Sequence, residues 1–235
     1  IEQKQDFDYG IEARYWMKKS DFEARHGLDW DKSWVFSFRN ITRSTTDTRS
    51  TMGTIMPFLP IGNSAAIFIF KGDESTYRGV LFSAIFLSFT FDYILRQKMG
   101  GTNLNLFILE QLPMPTPESI SRFRVKYNSN IKNLDNFLIE RAVKLIVTTN
   151  SLRCILNELN IKEGPYIWDD KERKQLLFEI DAAVAHLYGL TRDMYEYIFT
   201  EFRIQRDKDI SEFGTFMTKD TCLEIFDKIS LVNGG

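Results

Sequence analysis

Trp34-Val35-Phe36-Ser37-Phe38-Arg39-Asn40-Ile41 is the stretch that decides the fold class. It alternates and is rich in β-forming residues, which reads as a strand. Two more strands are expected, at Met52 to Pro57 and at Ala65 to Phe70. Pro57, Pro60, Gly62 and Asn63 supply the turn between them. The polar, β-branched run from Thr42 to Thr51 separates the first two strands and reads as a solvated loop with at most a short capped turn.

Past Phe70 the period changes. Leu81, Phe82, Ile85, Phe86, Phe89, Tyr93 and Ile94 recur at helical spacing, so one long helix is expected from a cap at Asp73 or Ser75 to about Lys98. Gly100-Gly101 ends it. A polar loop, Thr102 to Asn105, and a short apolar element, Leu106 to Leu112, lead into Pro113-Met114-Pro115-Thr116-Pro117. Three prolines in five residues make a stiff, extended segment and a natural boundary. Beyond it only helices are expected: Asn133 to Leu159 with a weak point near Thr148 to Ser151, Asp169 to Tyr188, one opening at Thr191, and one from Thr218 to about Leu231. The resulting class is α+β, with a β-containing region over 1–117 followed by a helical region over 118–235.

The net charge of −2 argues against a small autonomous DNA-binding domain, which would ordinarily be basic. The charge is unevenly spread, however. Arg39 to Lys126 carries 10 Lys and Arg against 6 Asp and Glu, whereas Ile131 to the end carries 14 against 18. If nucleic acid binds, the first half is the better surface. Cys154 and Cys222 lie far apart in apolar helical patterns and read as buried, reduced thiols. No signal peptide is visible. The most apolar stretch, Val80 to Leu95, is short for a bilayer span and contains Asp92, so a buried helix and a cytoplasmic protein are expected. The polar opening at Ile1, without a start-like signal, suggests a piece of a longer chain.

Catalytic signatures are weak. There is no Gly-rich phosphate loop, no serine elbow, and no Asn-Pro-Pro-aromatic motif of the kind that holds a flipped adenine. His26 has no partner at ligand spacing, and His186 sits among Ala and Leu residues as a packing histidine would. Asp169, Asp170, Glu172 and Lys174 have the content of a metal-dependent nuclease site. They also occupy the first turns of a helix, where acids favour the dipole, and capping is the preferred reading. Two polar and basic clusters remain beside the expected sheet: Arg39, Asn40, Arg43, Thr45, Thr46 and Arg49, then Arg96, Gln97, Lys98, Thr102, Asn103 and Asn105. Such residues hold phosphates and read base edges. They also serve solvated loops and caps, so their chemistry alone leaves both readings open.

Three runs carry a family resemblance. Trp34 to Arg49, with its Phe38-Arg39-Asn40-Ile41-Thr42-Arg43 core, resembles a stretch that follows the methylase domain in large adenine-specific DNA methylases of restriction-modification systems. Phe91 to Pro115 resembles the end of their target-recognition region, and Glu179 to Asp193 a helical segment near their C-terminus. The runs fall in the family's order and span most of the chain. The family is the fused restriction-methylation type (type IIG and relatives), and the layout is also similar to type I specificity subunits.

The resemblance implies that a parent enzyme binds S-adenosylmethionine, methylates the exocyclic nitrogen of adenine, and uses Mg²⁺ if it also cleaves. This chain lacks those catalytic parts, so it would need no cofactor of its own. Its implied task is to choose the site on double-stranded DNA and hold the duplex against the methylase domain, with no membrane involved. On that reading Arg39, Arg43, Thr45, Arg49, Arg96 and Lys98 contact DNA, and Thr102, Asn103 and Asn105 shape or read the site. A motif shared by enzymes with different targets cannot encode the target, which favours a structural role for Gly100-Gly101-Thr102-Asn103. Asp181 to Leu190 reads as core, with Asp181 and His186 satisfied inside it. The alternatives are a fragment with nuclease activity and a module that docks methylase or nuclease subunits through its acidic helical half.

Overall fold

The computed structural model describes residues 2–10, 16–25, 29–43 and 45–233. Two short helices, α1 (Glu2–Gln5) and α2 (Lys19–Arg25), precede β1 (Trp34–Arg39). The strands β2 (Gly53–Pro57) and β3 (Ala65–Phe68) flank β1 on either side, both antiparallel to it. Alternation then does what the sequence requires. Trp34, Phe36 and Phe38 share one face with Phe68 and are covered by α3 (Ser75–Phe86). Phe36 meets Phe82 and Phe86 edge-to-face, with centroids 4.9 and 5.1 Å apart, a preferred aromatic geometry.

Gly79 marks the point where α3 crosses Trp34. A β-carbon there would lie 2.6 Å from the indole ring. Gly79→Ala therefore overpacks the junction and should destabilise the fold by about 1–3 kcal/mol, despite the better helix propensity of alanine. A lower urea midpoint at unchanged slope is the readout; an unchanged midpoint would mean that the ring has room to move.

The single helix expected up to Lys98 is two helices. The second, α4 (Phe89–Lys98), turns away from α3 by 75°. Neither Asp73 nor Ser75 caps α3, whose N-cap position is Glu74 without a side-chain bond. The break has two causes. Ser88 adopts an extended backbone and its hydroxyl accepts the Phe91 N–H at 3.2 Å. Asp181, far along the chain, accepts the N–H of Phe89. Free N–H groups at a new helix start are thereby satisfied from outside the helix, which periodicity cannot reveal.

The short helices α5 (Leu106–Leu109) and α6 (Pro117–Ile120) bracket the proline segment. The residues after it are not all helical. The strands β4 (Phe123–Tyr127) and β5 (Asn130–Asn133) form a hairpin. Its two-residue turn places Asn128 and Ser129 at positive φ (47° and 65°), as a type I′ turn demands. The helices α7 (Leu134–Ile146), α8 (Arg153–Glu158), α9 (Asp170–Leu187), α10 (Arg192–Ile198), α11 (Arg203–Phe213) and α12 (Met217–Lys228) follow. Finally β6 (Ser230–Asn233) returns to pair with β4, giving a second sheet in the order β5-β4-β6. The α+β class stands; the expectation of a purely helical second half is corrected by this sheet.

One hydrophobic core runs through both halves, because α3 packs on α7 and α9, and α4 on α9 and α10. The segment expected as a boundary, Pro113 to Pro117, thus coincides with no break in packing. Val80 to Leu95 is largely buried in this core, and among the described residues no single helix is long and apolar enough to cross a membrane. Both cysteines are free; Cys222 is buried, but Cys154 is only partly so and accepts a bond from the Ser33 hydroxyl at 3.2 Å.

His186 stacks on Phe226 and its Nε2 lies 2.9 Å from the Phe226 carbonyl, so the neutral ring donates there. Burial lowers its pKa, against the smaller opposing pulls of that carbonyl and of Asp227. A histidine held neutral by the fold contributes stability that is full above its unfolded pKa near 6.5 and is lost as pH falls towards its lowered folded value. The urea midpoint should therefore drop between pH 7.5 and pH 5, and drop less in His186→Gln. Equal drops in the two proteins would assign the effect to other groups.

Candidate nucleic-acid interface

The two polar clusters are far apart in sequence and adjacent in space. Ile41 and Asn103 face each other across an isolated antiparallel bridge. The Thr42 N–H donates to the Thr102 carbonyl at 2.8 Å, and the Leu104 N–H donates to the Asn40 carbonyl at 2.6 Å. Thr102 to Leu104 thus continues the edge of β1 beyond its end, with Leu104 buried beneath it as an anchor. This backbone clamp is the role that the Gly-Gly-Thr-Asn loop plays locally. Its glycines meet nothing within 4 Å at the missing β-carbon, so the loop itself stands clear of the core.

The first loop is also built from inside. The Asp47 carboxylate accepts the Arg43 N–H at 2.8 Å, while the Thr46 and Asp47 N–H groups donate to the Arg43 carbonyl at 3.0 and 2.7 Å. The turn closes on itself and leaves Arg43 and Thr45 exposed. Arg39 stands at the end of β1, half exposed, 3.6 Å from Asp47. Lys98, Thr102, Asn103 and Asn105 are exposed as well. Asn40, grouped with them by residue type, is structural: its amide donates to the Asn63 carbonyl at 2.8 Å and its oxygen accepts the Ala66 N–H at 3.0 Å, tying β1 to β3.

Arg49 and Arg96 face inward. The Arg49 guanidinium pairs with Asp181 at 2.9 Å, donates to the Leu87 carbonyl at 2.9 Å, and lies over the Phe89 ring. Asp181 is 1% exposed and also takes the Phe89 N–H. Burial pushes the Asp181 carboxyl above the ordinary range, and the Arg49 charge pulls it back. Arg96 pairs with the fully buried Asp92 at 2.8 Å, donates to the Glu201 carbonyl at 2.9 Å, and covers Phe202. Asp92 closes the circuit by accepting the N–H groups of Ser50 and Thr51 at 2.6 and 3.2 Å. The expectation that Arg49 and Arg96 contact DNA is therefore corrected. Their cationic groups are engaged by internal carboxylates and fix the loop from Arg43 to Thr51 to α4 and α9.

The outer face of the first sheet is an open groove of about 610 Å³. Arg39, Ile41, Met52, Thr54, Met56 and Ala65 line it. Sequence reasoning missed this groove, and also the exposure of Ile41, Leu106 and Phe107. The available signal was the placement of apolar residues inside or next to polar loops.

The nuclease-like residues are otherwise employed. The Asp169 side chain caps α9 by accepting the Glu172 N–H at 2.6 Å, and Asp170 accepts the Trp168 indole N–H at 2.7 Å. Glu172 pairs with Lys144 at 3.1 Å, and Lys174 lies 4.0 Å from Glu212. Among the described residues no group of three or more His, Cys, Asp or Glu is arranged to hold a metal ion. His26 lies outside the described residues. Comparison of the chain with protein-family models, curated proteins and solved structures finds no match in any of the three.

Truncating one partner of a buried ion pair strands the other charge. Asp181→Ala should cost about 3–5 kcal/mol of stability, and Asp181→Ala with Arg49→Met should cost far less than the two single losses together. Urea unfolding of the four proteins completes the cycle; additive losses would show that the pair does not act as one unit.

Proposed function

We propose that this chain selects and grips double-stranded DNA on behalf of a restriction-modification adenine methyltransferase, working beside a catalytic domain that it does not itself contain. The observation that carries this reading is the Ile41–Asn103 bridge. Through it two polar loops, separate in sequence, form one exposed edge that holds Arg39, Arg43, Thr45, Lys98, Thr102, Asn103 and Asn105. Cations there would neutralise phosphates, and the Thr and Asn side chains would meet base edges. Arg39, Arg43 and Lys98 put positive charge on this edge in a chain whose net charge is −2.

The resemblance of three sequence runs supports the parent activity: S-adenosylmethionine-dependent methylation of adenine, with Mg²⁺ involved if the parent also cleaves. Those steps belong to the catalytic domain, and the residues of this chain would bind and orient the duplex. The cytoplasm, where restriction and methylation act on DNA, is the matching compartment. A second reading, docking of a methylase or nuclease subunit, is favoured by one feature. A largely apolar groove of about 460 Å³ runs between α4 and α10, lined by Tyr93, Tyr188, Met194 and Tyr197. Interfaces between proteins are enriched in such residues.

Fluorescence anisotropy with random duplex DNA tests the first reading. The chain should bind at low salt and weaken as salt rises. Arg43→Ala with Lys98→Ala should weaken binding and lower the slope of log affinity against log salt by about 0.9 for each phosphate that is no longer neutralised. Absence of binding at low salt would leave the docking reading in place. Binding with an unchanged slope in the double variant would move the DNA surface elsewhere.

A further inference from the structure

Phe107 is 73% exposed, the most exposed phenylalanine among the described residues, and Leu106 beside it is 44% exposed. Both belong to α5, whose N-cap position is Asn105, and Leu109 on the same helix is buried and holds it to the core. The Gln111 amide donates to the Phe107 carbonyl at 3.1 Å, fixing the turn behind the ring. Leu104, two positions before α5, is buried and bonded to Asn40, so the base of the element is anchored on both sides. Across the bridge from Asn103, Ile41 is 45% exposed. The polar edge thus carries an apolar tip on a rigid mount, next to Asn103 and Asn105 and with Lys98, Arg39 and Arg43 on the same pair of loops.

Isolated apolar residues on a surface need no explanation. Here three occur on two loops that a backbone bridge joins, and the exposed cations Arg39, Arg43 and Lys98 share those loops with Asp47, which is engaged by the Arg43 N–H and by Arg39, and with Glu110 at the far end of α5. A protein partner would match the apolar tip alone, whereas a nucleic acid matches both parts: phosphates for the cations and a base face for the ring. We infer that Phe107, supported by Leu106 and Ile41, is a wedge that stacks against bases and opens a step of the bound duplex; this rests on the DNA reading above. The wedge would hold the duplex in a deformed state next to Thr102, Asn103 and Asn105. It would also add affinity that does not depend on counterion release, in contrast to the arginine and lysine contacts.

The test uses the whole chain with random duplex DNA at low salt. Exposure makes Phe107 replaceable without loss of the fold, which circular dichroism and the urea midpoint verify. Phe107→Ala should bind about ten-fold more weakly, within the range of base–aromatic stacking, with the salt slope of the unaltered protein. Phe107→Trp should bind normally, and its added indole emission should be quenched by stacking when DNA is added, beyond any change in the four native tryptophans. Retained affinity in Phe107→Ala, or an unquenched indole in a Phe107→Trp protein that binds DNA by anisotropy, overturns the wedge and leaves the DNA reading intact. Failure of the unaltered protein to bind any duplex overturns both.

Discussion

The pairing of Arg49 with Asp181 is the interaction on which the rest of the molecule depends. It joins the loop after β1 to the middle of α9, across 132 positions of sequence, in a place with little water to share the cost of charge. Such a pair contributes modest net stability but tolerates no loss of one member. Asp181 uses its second oxygen on the Phe89 N–H, so the same carboxylate that holds Arg49 also starts α4 and sets the bend after α3. The second pair, Asp92 with Arg96, repeats the logic one helix turn further on, with Asp92 taking the N–H groups of Ser50 and Thr51.

These contacts bring together three runs that lie far apart in the sequence, Trp34 to Arg49, Phe91 to Pro115 and Glu179 to Asp193. Arg49 closes the first run, Asp92 and Arg96 lie in the second, and Asp181 lies in the third. All four meet in one buried network that is flanked by Phe89 and Phe202. It fixes the base of the loop on which Arg43 and Thr45 stay exposed. The Gly-Gly-Thr-Asn loop follows the same division: its backbone extends the edge of β1 while its side chains point away from the core.

Rigidity of the frame has a consequence for the exposed edge. Arg43 and Thr45 ride on a turn closed by Asp47, and Phe107 rides on a helix anchored by Leu109. Side chains presented from fixed mounts lose less freedom on contact than side chains on a slack loop, so more of their interaction energy survives as affinity. The continuity of the core from the first sheet to α9 and α12 makes the helical half part of that mount. The acidic surplus of that half lies away from the candidate edge in sequence, consistent with a support that faces solvent or protein.

Much of this was legible in the sequence alone. Alternation at Trp34 to Phe38 determined β1 as a strand, whereas burial of Val35 and Ser37 on its other face came from what packs over them in the fold. Caps at Asp169 and Thr191 determined the starts of α9 and α10, because their side chains satisfy the orphan N–H groups locally. Local rules failed where the deciding partner was remote or the element short. The hairpin at Phe123 to Asn133 had its alternation and its Asn128-Ser129 turn in view, but five- and four-residue strands give a weak periodic signal, and β6 completes their sheet from the far end of the chain. Arg39, Arg43, Arg49 and Arg96 look alike as letters in polar runs. Only tertiary structure separated the exposed pair from the two that face buried carboxylates, because burial of a charge is set by what folds over it and not by its neighbours in sequence.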